Sequence, residues 1–207
     1  MRVVKDPEIR KNEILDAAEE LFETQGFDGT STNQILEKVG IARGTLYYHF
    51  KSKEDIMDGL IQRYNTRIMD KAKKAAGDKK QPVFQRILQV ILALNVNQDG
   101  VREHLHKPQN ALMHQKIQKM LISSVTPILA ELAEEGISQK VMENPYPYET
   151  MEMVLVYASA AFDDDDTVAM TEEERLVRAH AMVFNIERLF AVKDEQLSKL
   201  LMQIFTK

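Results

Sequence analysis

Helix start and stop signals divide this 207-residue chain at short intervals, and they constrain its fold more than any other feature. The segment Asp6-Pro7-Glu8 combines an N-capping side chain, a proline at the first helical position and an early acidic residue. Ser31 with Gln34, and Thr171 with Glu174, have the spacing of capping boxes. No segment shows the alternation of a half-buried β-strand. We therefore predict an all-α fold.

The same signals delimit four helices at the start of the chain. Apolar residues run at helical spacing from Ile14 to Phe22, and Gly26 is the expected left-handed end of this first helix. Gly40 ends a short second helix, and a short third helix follows. A long fourth helix begins near Ser52, and its apolar stripe consists of Ile56, Leu60, Tyr64 and Ile68. We predict a helix-turn-helix domain at residues 1–53 and a C-terminal helical bundle at 54–207, with no flexible linker between them.

Composition excludes several classes of protein. The chain has no cysteine, which excludes disulfides and thiolate chemistry and fits a reducing cytoplasm. No run approaches the roughly 18 apolar residues of a membrane-spanning helix, and Met1 to Lys11 lacks the apolar core of a signal peptide. Hydrophobic residues make up 44% of the chain, which is enough for a substantial core. We expect a cytoplasmic globular protein.

Charge is distributed unevenly along the chain. The net charge is −5, yet the segment from Lys38 to Lys53 contains no acidic residue and four basic residues, which are Lys38, Arg43, Lys51 and Lys53. A basic island in an acidic chain indicates an electrostatic footprint for nucleic acid. By charge alone, a chance cluster on a solvated surface would look the same.

Two short helices separated by a glycine-containing turn are typical of a helix-turn-helix, whose second helix enters the DNA major groove. Leu46 and Phe50 would face the core, which leaves the other side chains of the third helix facing outward. Adjacent outward tyrosines suit DNA, because a phenol can bond a phosphate while its ring packs on a sugar. We predict DNA contacts from Thr32, Asn33, Arg43, Gly44, Thr45, Tyr47, Tyr48, His49 and Lys53.

The position of each residue along the third helix predicts what it contacts. Residues at the start of a recognition helix reach deepest, so we expect Arg43 and Thr45, together with Asn33, to contact bases. Residues at its end meet the backbone, so the predicted phosphate contacts are Tyr47, Tyr48, His49 and Lys53. Gly44 would let the backbone approach the DNA closely.

Residues 9–60 resemble the TetR family of bacterial regulators. The resemblance rests on Phe27, the Thr30-Ser31-Thr32 opening of the second helix, Ile35, Gly40 and above all the string from Gly44 to Glu54, GTLYYHFKSKE. It implies a homodimeric repressor that binds a pseudo-palindromic operator and senses a small molecule through its C-terminal domain. The family usually has Ser or Thr where this chain has Ala42. The cap of the recognition helix is therefore weaker, by ~1 kcal/mol.

Two C-terminal segments are apolar on almost every face, Met151–Phe162 and Leu176–Phe190. Such helices must be covered on every face, so we predict that they pair with their copies as a four-helix dimer interface. The predicted interface residues are Met151, Leu155, Phe162, Met182, Ile186 and Leu189. We also predict an apolar effector pocket inside the bundle, lined by Tyr64, Phe84, Leu88, Met113, Ile117, Met120 and Met153.

Other features leave alternatives open. His104, His106 and His114 cluster near a predicted helix break, where they could bind a metal, line a pocket or lie on the surface. Asp163 to Asp166 could bind a cation or form a solvated loop. The alternatives to a regulator are an enzyme on a helical scaffold and a protein of the same fold that acts by binding other proteins. No nucleophile motif or phosphate loop is visible, so we predict no catalytic residue, metal or cofactor.

Overall fold

The computed structural model describes residues 6–94, 110–162, 170–193 and 196–205, and every regular element in these ranges is helical. The helices are α1 (Pro7–Gly29), α2 (Thr32–Val39), α3 (Arg43–His49), α4 (Lys53–Gly77), α5 (Val83–Ala93), α6 (Ala111–Ser138), α7 (Pro147–Ala161), α8 (Glu172–Leu189) and α9 (Gln196–Phe205). The predicted all-α fold is confirmed. Among the described helices, none has the length and apolarity needed to cross a membrane.

The described residues form two compact units. The N-terminal unit contains residues 6–66 and 110–117, and the C-terminal unit contains the rest. Helices α4 and α6 each contribute their first part to the N-terminal unit and their remainder to the C-terminal unit. The predicted division after residue 53 falls at the start of α4, whereas the units divide α4 between Thr66 and Arg67. A domain boundary at residue 53 stays a prediction.

The predicted capping signals form as hydrogen-bonded caps. The Asp6 carboxylate accepts from the Glu8 N–H at 2.8 Å at the start of α1. Ser31 and Thr171 each form a reciprocal capping box with the residue three positions later, at the starts of α2 and α8. Gly40 ends α2 in the left-handed conformation, with φ 71° and ψ 40°. These bonds satisfy N–H groups that a helix leaves free at its start.

Helical conformation is interrupted at Gly26, where the sequence predicted the end of the first helix, and a short second segment continues α1 across this kink. The Gly26 φ of 81° and ψ of 163° are not helical, yet helical structure resumes and continues to Gly29. The Thr30 hydroxyl donates to the Gly26 carbonyl at 2.7 Å, which supplies a partner beyond the bend. Local sequence identified the interruption at Gly26, but it did not predict the short helical segment that follows it.

The C-terminal unit is built around one apolar core drawn from α4 to α9. Its most deeply buried large side chains include Val90, Val125, Leu129, Met142 and Phe190. Arg86 of α5 is also buried, and its guanidinium fastens three helices together. It donates to the Ala76 carbonyl at the end of α4 through Nε at 2.7 Å and to Glu135 of α6 at 2.6 Å. A buried charge is tolerated here because it is both paired and hydrogen-bonded.

Candidate nucleic-acid interface

Helix α3 is held in the N-terminal unit by two apolar side chains. Leu46 is 1% exposed, and Phe50, the residue that caps the end of α3, is 3% exposed. They join a core to which α1, α2 and α4 contribute Ile14, Phe22, Ile35, Ile56 and Leu60. Both were predicted to point inward from their i, i+4 spacing, and the structure confirms this. With its apolar side fixed, the opposite side of α3 is presented outward.

The outward side of α3 carries the side chains predicted to contact DNA. Arg43, Tyr47 and Tyr48 are exposed, and Tyr48 is more open than Tyr47, at 77% against 43%. The Arg43 guanidinium lies 5.8 Å from the centroid of the Tyr47 ring, within cation–π range. The Tyr48 and His49 rings form an edge-to-face pair at 5.0 Å. Aromatic packing therefore orders this surface without covering it.

The remaining predicted contacts surround this surface with different degrees of exposure. Gly44 and Asn33 are exposed, and Thr32, Thr45 and His49 are half-buried. A Cβ atom placed on Gly44 would meet no other atom within 4 Å. Packing within the protein therefore does not require glycine at this position. The lack of a side chain leaves room for DNA to approach the protein backbone closely.

Ala42 occupies the N-cap of α3 and makes no side-chain capping bond. The sequence predicted this weakness. Its backbone carbonyl accepts from the Thr45 N–H at 2.9 Å, so the helix still begins at Arg43. A hydroxyl at residue 42 would offer both a cap and a donor for phosphate.

Two of the four basic side chains in the Lys38–Lys53 segment are engaged inside the protein. The Lys53 ammonium donates to the Phe27 carbonyl at 2.6 Å and lies 4.2 Å from the centroid of the Phe27 ring. Lys38 pairs with Glu20 of α1 at 2.5 Å. In the described parts of the chain, the side chains of Arg43 and Lys51 form no ion pair, although the Lys51 backbone N–H donates to Asp55 at 2.7 Å. The structure thus concentrates the free positive charge of this surface on these two residues.

A polar cluster fastens α4 to α1 within the N-terminal unit. The Arg63 guanidinium contacts Asp16 at 2.6 Å and Glu19 at 2.5 Å, and the Tyr64 hydroxyl donates to the other oxygen of Glu19. Burial, followed by the bond to Glu19, raises the pKa of Tyr64 well above its ordinary value. The hydroxyl of Tyr64 is thus bonded to α1, and its place in an effector pocket stays a prediction.

The other predicted pocket residues are divided between the two units. Met113 and Ile117 are buried within residues 110–117 of the N-terminal unit, whereas Phe84 and Leu88 belong to the core of the C-terminal unit. Met120 is half-buried, and Met153 is exposed. Helical periodicity marks an apolar face without indicating which core that face joins, so the grouping of these residues in one pocket stays a prediction.

Each unit contains an open cleft. The cleft of the C-terminal unit has a volume of about 880 Å³ and is walled by Lys73, Ala76, Gly77, Lys79, Arg86, Ser124, Pro127, Ile128, Glu131, Leu132, Glu134, Glu135 and Ser138. A smaller cleft of about 380 Å³ lies in the N-terminal unit and is lined mainly by polar side chains of α1 and α4, together with His49 and Phe50. None of the seven predicted pocket residues lines either cleft.

Residues suggested as metal ligands do not form a site within the described ranges. His114 is half-buried on α6, and His104, His106 and the Asp163–Asp166 segment lie outside those ranges. Across the part of the chain that the structure describes, no group of three histidine, aspartate or glutamate side chains could hold a metal ion.

Helices α7 and α8 expose apolar side chains, but only partly those that the sequence predicted. Met151 and Ile186 are only 5% and 7% exposed within the single chain, which leaves them little surface to offer a second copy, and their place in a dimer interface stays a prediction. Leu155, Phe162 and Met182 are half-buried, and Leu189 is exposed. The apolar side chains that the prediction missed, and that lie open to solvent, are Met153, Val156, Tyr157, Val177 and Phe184. Their spacings of three, four and seven residues were the available signal.

The chain matches two models of one protein family. Residues 14–60 match the model described as bacterial regulatory proteins, tetR family, and residues 92–185 match the tetracyclin repressor-like C-terminal domain. Together these matches include α2, α3, the beginning of α4 and most of the C-terminal helices.

Individual proteins show the same relationship. The chain is 33% identical over 98 residues to the tetracycline repressor protein class D of Escherichia coli, covering 47% of this chain and 45% of that protein. It is 41% identical over 59 residues to an HTH-type transcriptional regulator of Staphylococcus aureus, covering 28% and 32%. The matches thus span less than half the length of these curated relatives. A TetR-family regulator structure from Mesorhizobium loti shares the fold, with a TM-score of 0.62 at 17% identity over 91% of this chain and 98% of that one. The chain belongs to the tetR family of bacterial regulatory proteins.

Proposed function

We propose that the protein is a transcriptional regulator that binds operator DNA through α3. The observation that carries this proposal is the division of α3 into two sides. Leu46 and Phe50 anchor one side in the core, while Arg43, Gly44 and Tyr48 remain open on the other. A helix of this kind fits the major groove, which is about 12 Å wide. The related proteins named above are regulators, which favours this function over catalysis.

We propose that the protein forms a homodimer through an exposed apolar face on α7 and α8, and that this dimer is the form that binds DNA. This face, which we call the α7–α8 face, consists of Met153, Val156, Tyr157, Val177, Phe184 and Leu189. Arg188 lies 5.0 Å from the Phe184 ring, so the face has a charged border. A second copy would cover these side chains, and an obligate interface of this kind buries about 2,000 Å² or more. Two recognition helices related by a two-fold axis would read a pseudo-palindromic operator.

We further propose that the protein acts as a repressor whose DNA affinity responds to a small molecule bound in the C-terminal unit. The support is family membership together with the continuity of α4 and α6, which each run through residues of both units. A regulator of this kind works on DNA in the cytoplasm. This proposal does not depend on which residues line the effector pocket.

Selection of bound duplexes from a random-sequence library tests the DNA-binding proposal. We expect enrichment of a two-fold symmetric sequence whose half-sites lie about 34–36 Å apart, one DNA turn. Arg43→Ala is the informative variant, because arginine can bond guanine in two places and discriminate by roughly 1–3 kcal/mol. It should relax the preference at one position of each half-site.

The controls keep this experiment decisive. Circular dichroism and sedimentation should show wild-type helix content and assembly for Arg43→Ala, because Arg43 is exposed and lies outside the core. A folded wild-type protein that enriches no sequence contradicts the proposal. Enrichment of many unrelated sequences, or genome-wide binding without a motif, would instead favour a protein that acts on chromosomes through other proteins.

A further inference from the structure

A buried asparagine outside the helix-turn-helix hydrogen-bonds the backbone of α1 on both sides of the bend at Gly26. Asn110 is 2% exposed and immediately precedes α6. Its Oδ1 accepts from the Phe27 N–H at 3.0 Å, and its Nδ2 donates to the Phe22 carbonyl at 3.3 Å. The bend at Gly26 interrupts the bonding of α1 at this point, and a buried backbone N–H left unpaired is costly. The Asn110 side chain replaces the missing helical partners.

Phe27 is consequently held on several sides. Asn110 binds its N–H, and Lys53 at the start of α4 binds its carbonyl at 2.6 Å. The Lys53 ammonium also lies 4.2 Å from the Phe27 ring centroid, and the Phe22 ring packs edge-on against it at 5.2 Å. One residue therefore links α1, the residue that precedes α6, and the first residue of α4.

These links reach both ends of the helix-turn-helix along the chain. Along the chain, α2 begins soon after Phe27, at Thr32, and α4 begins at Lys53, just after α3 ends at His49. Both ends of the helix-turn-helix are thus linked to Phe27. The start of α2 is linked to it by a short connection along the chain, and the residue that follows α3 at the start of α4 is linked to it by the Lys53 hydrogen bond. A change in how Phe27 is held would alter the placement of α3 within the N-terminal unit.

We propose that Asn110 is a positioning residue for operator binding, which rests on the proposed function: it fixes Phe27 and so sets the orientation of α3. A second contact ties the first turns of α6 to the same unit, since Lys116 pairs with Asp58 of α4 at 2.5 Å. Because α6 continues into the C-terminal unit, a rearrangement of α6 would reach Phe27 through Asn110.

The test compares Asn110→Leu with Thr126→Val in the full-length protein. Each change replaces a buried hydrogen-bonding side chain with an apolar one of similar size. Thr126 differs in that it lies on α6 in the C-terminal unit, where its hydroxyl donates to the Ile122 carbonyl at 2.7 Å. The readouts are affinity for the selected operator and for a scrambled duplex, the melting temperature, and amide exchange at Phe27. All binding is measured well below the melting temperatures.

We expect Asn110→Leu to weaken operator binding roughly tenfold or more while affinity for the scrambled duplex stays near wild type, and to accelerate exchange of the Phe27 amide. Thr126→Val should lower the melting temperature and leave both affinities unchanged. Asn110→Asp, which keeps an acceptor for the Phe27 N–H, should restore protection of that amide and part of the operator affinity. If Asn110→Leu does not fold, Asn110→Asp is used in its place to test the proposal.

Two results would overturn the proposal. One is wild-type operator affinity in Asn110→Leu despite faster Phe27 exchange or, if Asn110→Leu does not fold, wild-type operator affinity in Asn110→Asp, which lacks the donor to the Phe22 carbonyl. The other is an equal loss of operator affinity in Asn110→Leu and Thr126→Val. A wild-type protein that selects no operator would instead contradict the proposed function, so the two failures are distinguishable.

Discussion

Gly59 of α4 packs against the ring of Phe50 so closely that a Cβ atom on Gly59 would lie 2.9 Å from Phe50 Cε1. The same atom would lie 3.2 Å from Leu15 Cδ2 of α1. Phe50 is 3% exposed and caps the end of α3, so its ring has little space into which it can move. The absence of a side chain at Gly59 is therefore what allows α4 to approach the end of the recognition helix.

The first prediction contrasts Gly59→Ala with Gly44→Ala. Gly59→Ala should lower the free energy of unfolding by about 1–2 kcal/mol, because overpacking exceeds the gain in helix propensity. Gly44→Ala meets no atom within 4 Å and should leave stability unchanged or raise it by up to ~1 kcal/mol. Its operator affinity should nevertheless fall, because the new methyl group stands between the backbone and DNA. Chemical denaturation and operator titration measure both, and unchanged operator affinity for Gly44→Ala would show that α3 does not approach DNA at this point.

The second prediction concerns which lysine neutralises phosphate. The Lys53 ammonium is bound to Phe27, whereas Lys51 is exposed. Lys51→Ala should therefore lower the slope of log affinity against log salt by about 0.9 per site engaged. Lys53→Met should leave that slope unchanged and lower stability by about 1–2 kcal/mol through loss of a charged hydrogen bond. Titrations at several salt concentrations decide between them. A lower slope for Lys53→Met would mean that Lys53 leaves Phe27 in the complex and binds phosphate, as its sequence position predicted.

The third prediction concerns assembly through the α7–α8 face. Phe184 is 55% exposed in the single chain, so Phe184→Glu costs the monomer little. In a symmetric dimer it would bury two like charges and should abolish assembly at micromolar concentration. Leu92→Glu on α5 is the matched control, because Leu92 is also exposed and lies outside this face. Sedimentation should give a dimer for the wild type and for Leu92→Glu, and a monomer for Phe184→Glu. A monomeric wild type would contradict the proposed dimer.

The fourth prediction concerns acid stability. Hydrogen bonds from Arg86 and then Lys79 lower the pKa of Glu135 to about 2. The ordinary glutamate pKa of about 4.3 applies in the unfolded chain. Because the folded pKa is the lower one, the stabilisation is complete above about pH 4.3 and is lost as pH falls towards 2. Urea denaturation across this range should show a steeper loss of stability for the wild type than for Glu135→Gln. Glu131→Gln, on the same helix, should follow the wild type, and identical pH dependence in all three proteins would exclude this role for Glu135.

Local signals in the sequence determined where helices begin and end, and which side of α3 faces the core. A capping box, a left-handed glycine and an i, i+4 apolar pair each act within about one helical turn, so they can be recognised without knowing what lies nearby in space. This is why the starts of α2 and α8, the end of α2 at Gly40 and the inward position of Leu46 were all predicted correctly.

Tertiary structure decided what each exposed or apolar side chain contacts. Lys53 binds a carbonyl 26 residues away, and Asn110 binds the Phe27 N–H from 83 residues away. Met151 turned inward while Phe184 remained open, although both lie in segments that are apolar almost all round. Periodicity gives the direction of a side chain relative to its own helix, but partners are set by how distant helices pack. The helix-turn-helix could therefore be predicted from sequence, whereas its support by Lys53 and Asn110 required the folded chain.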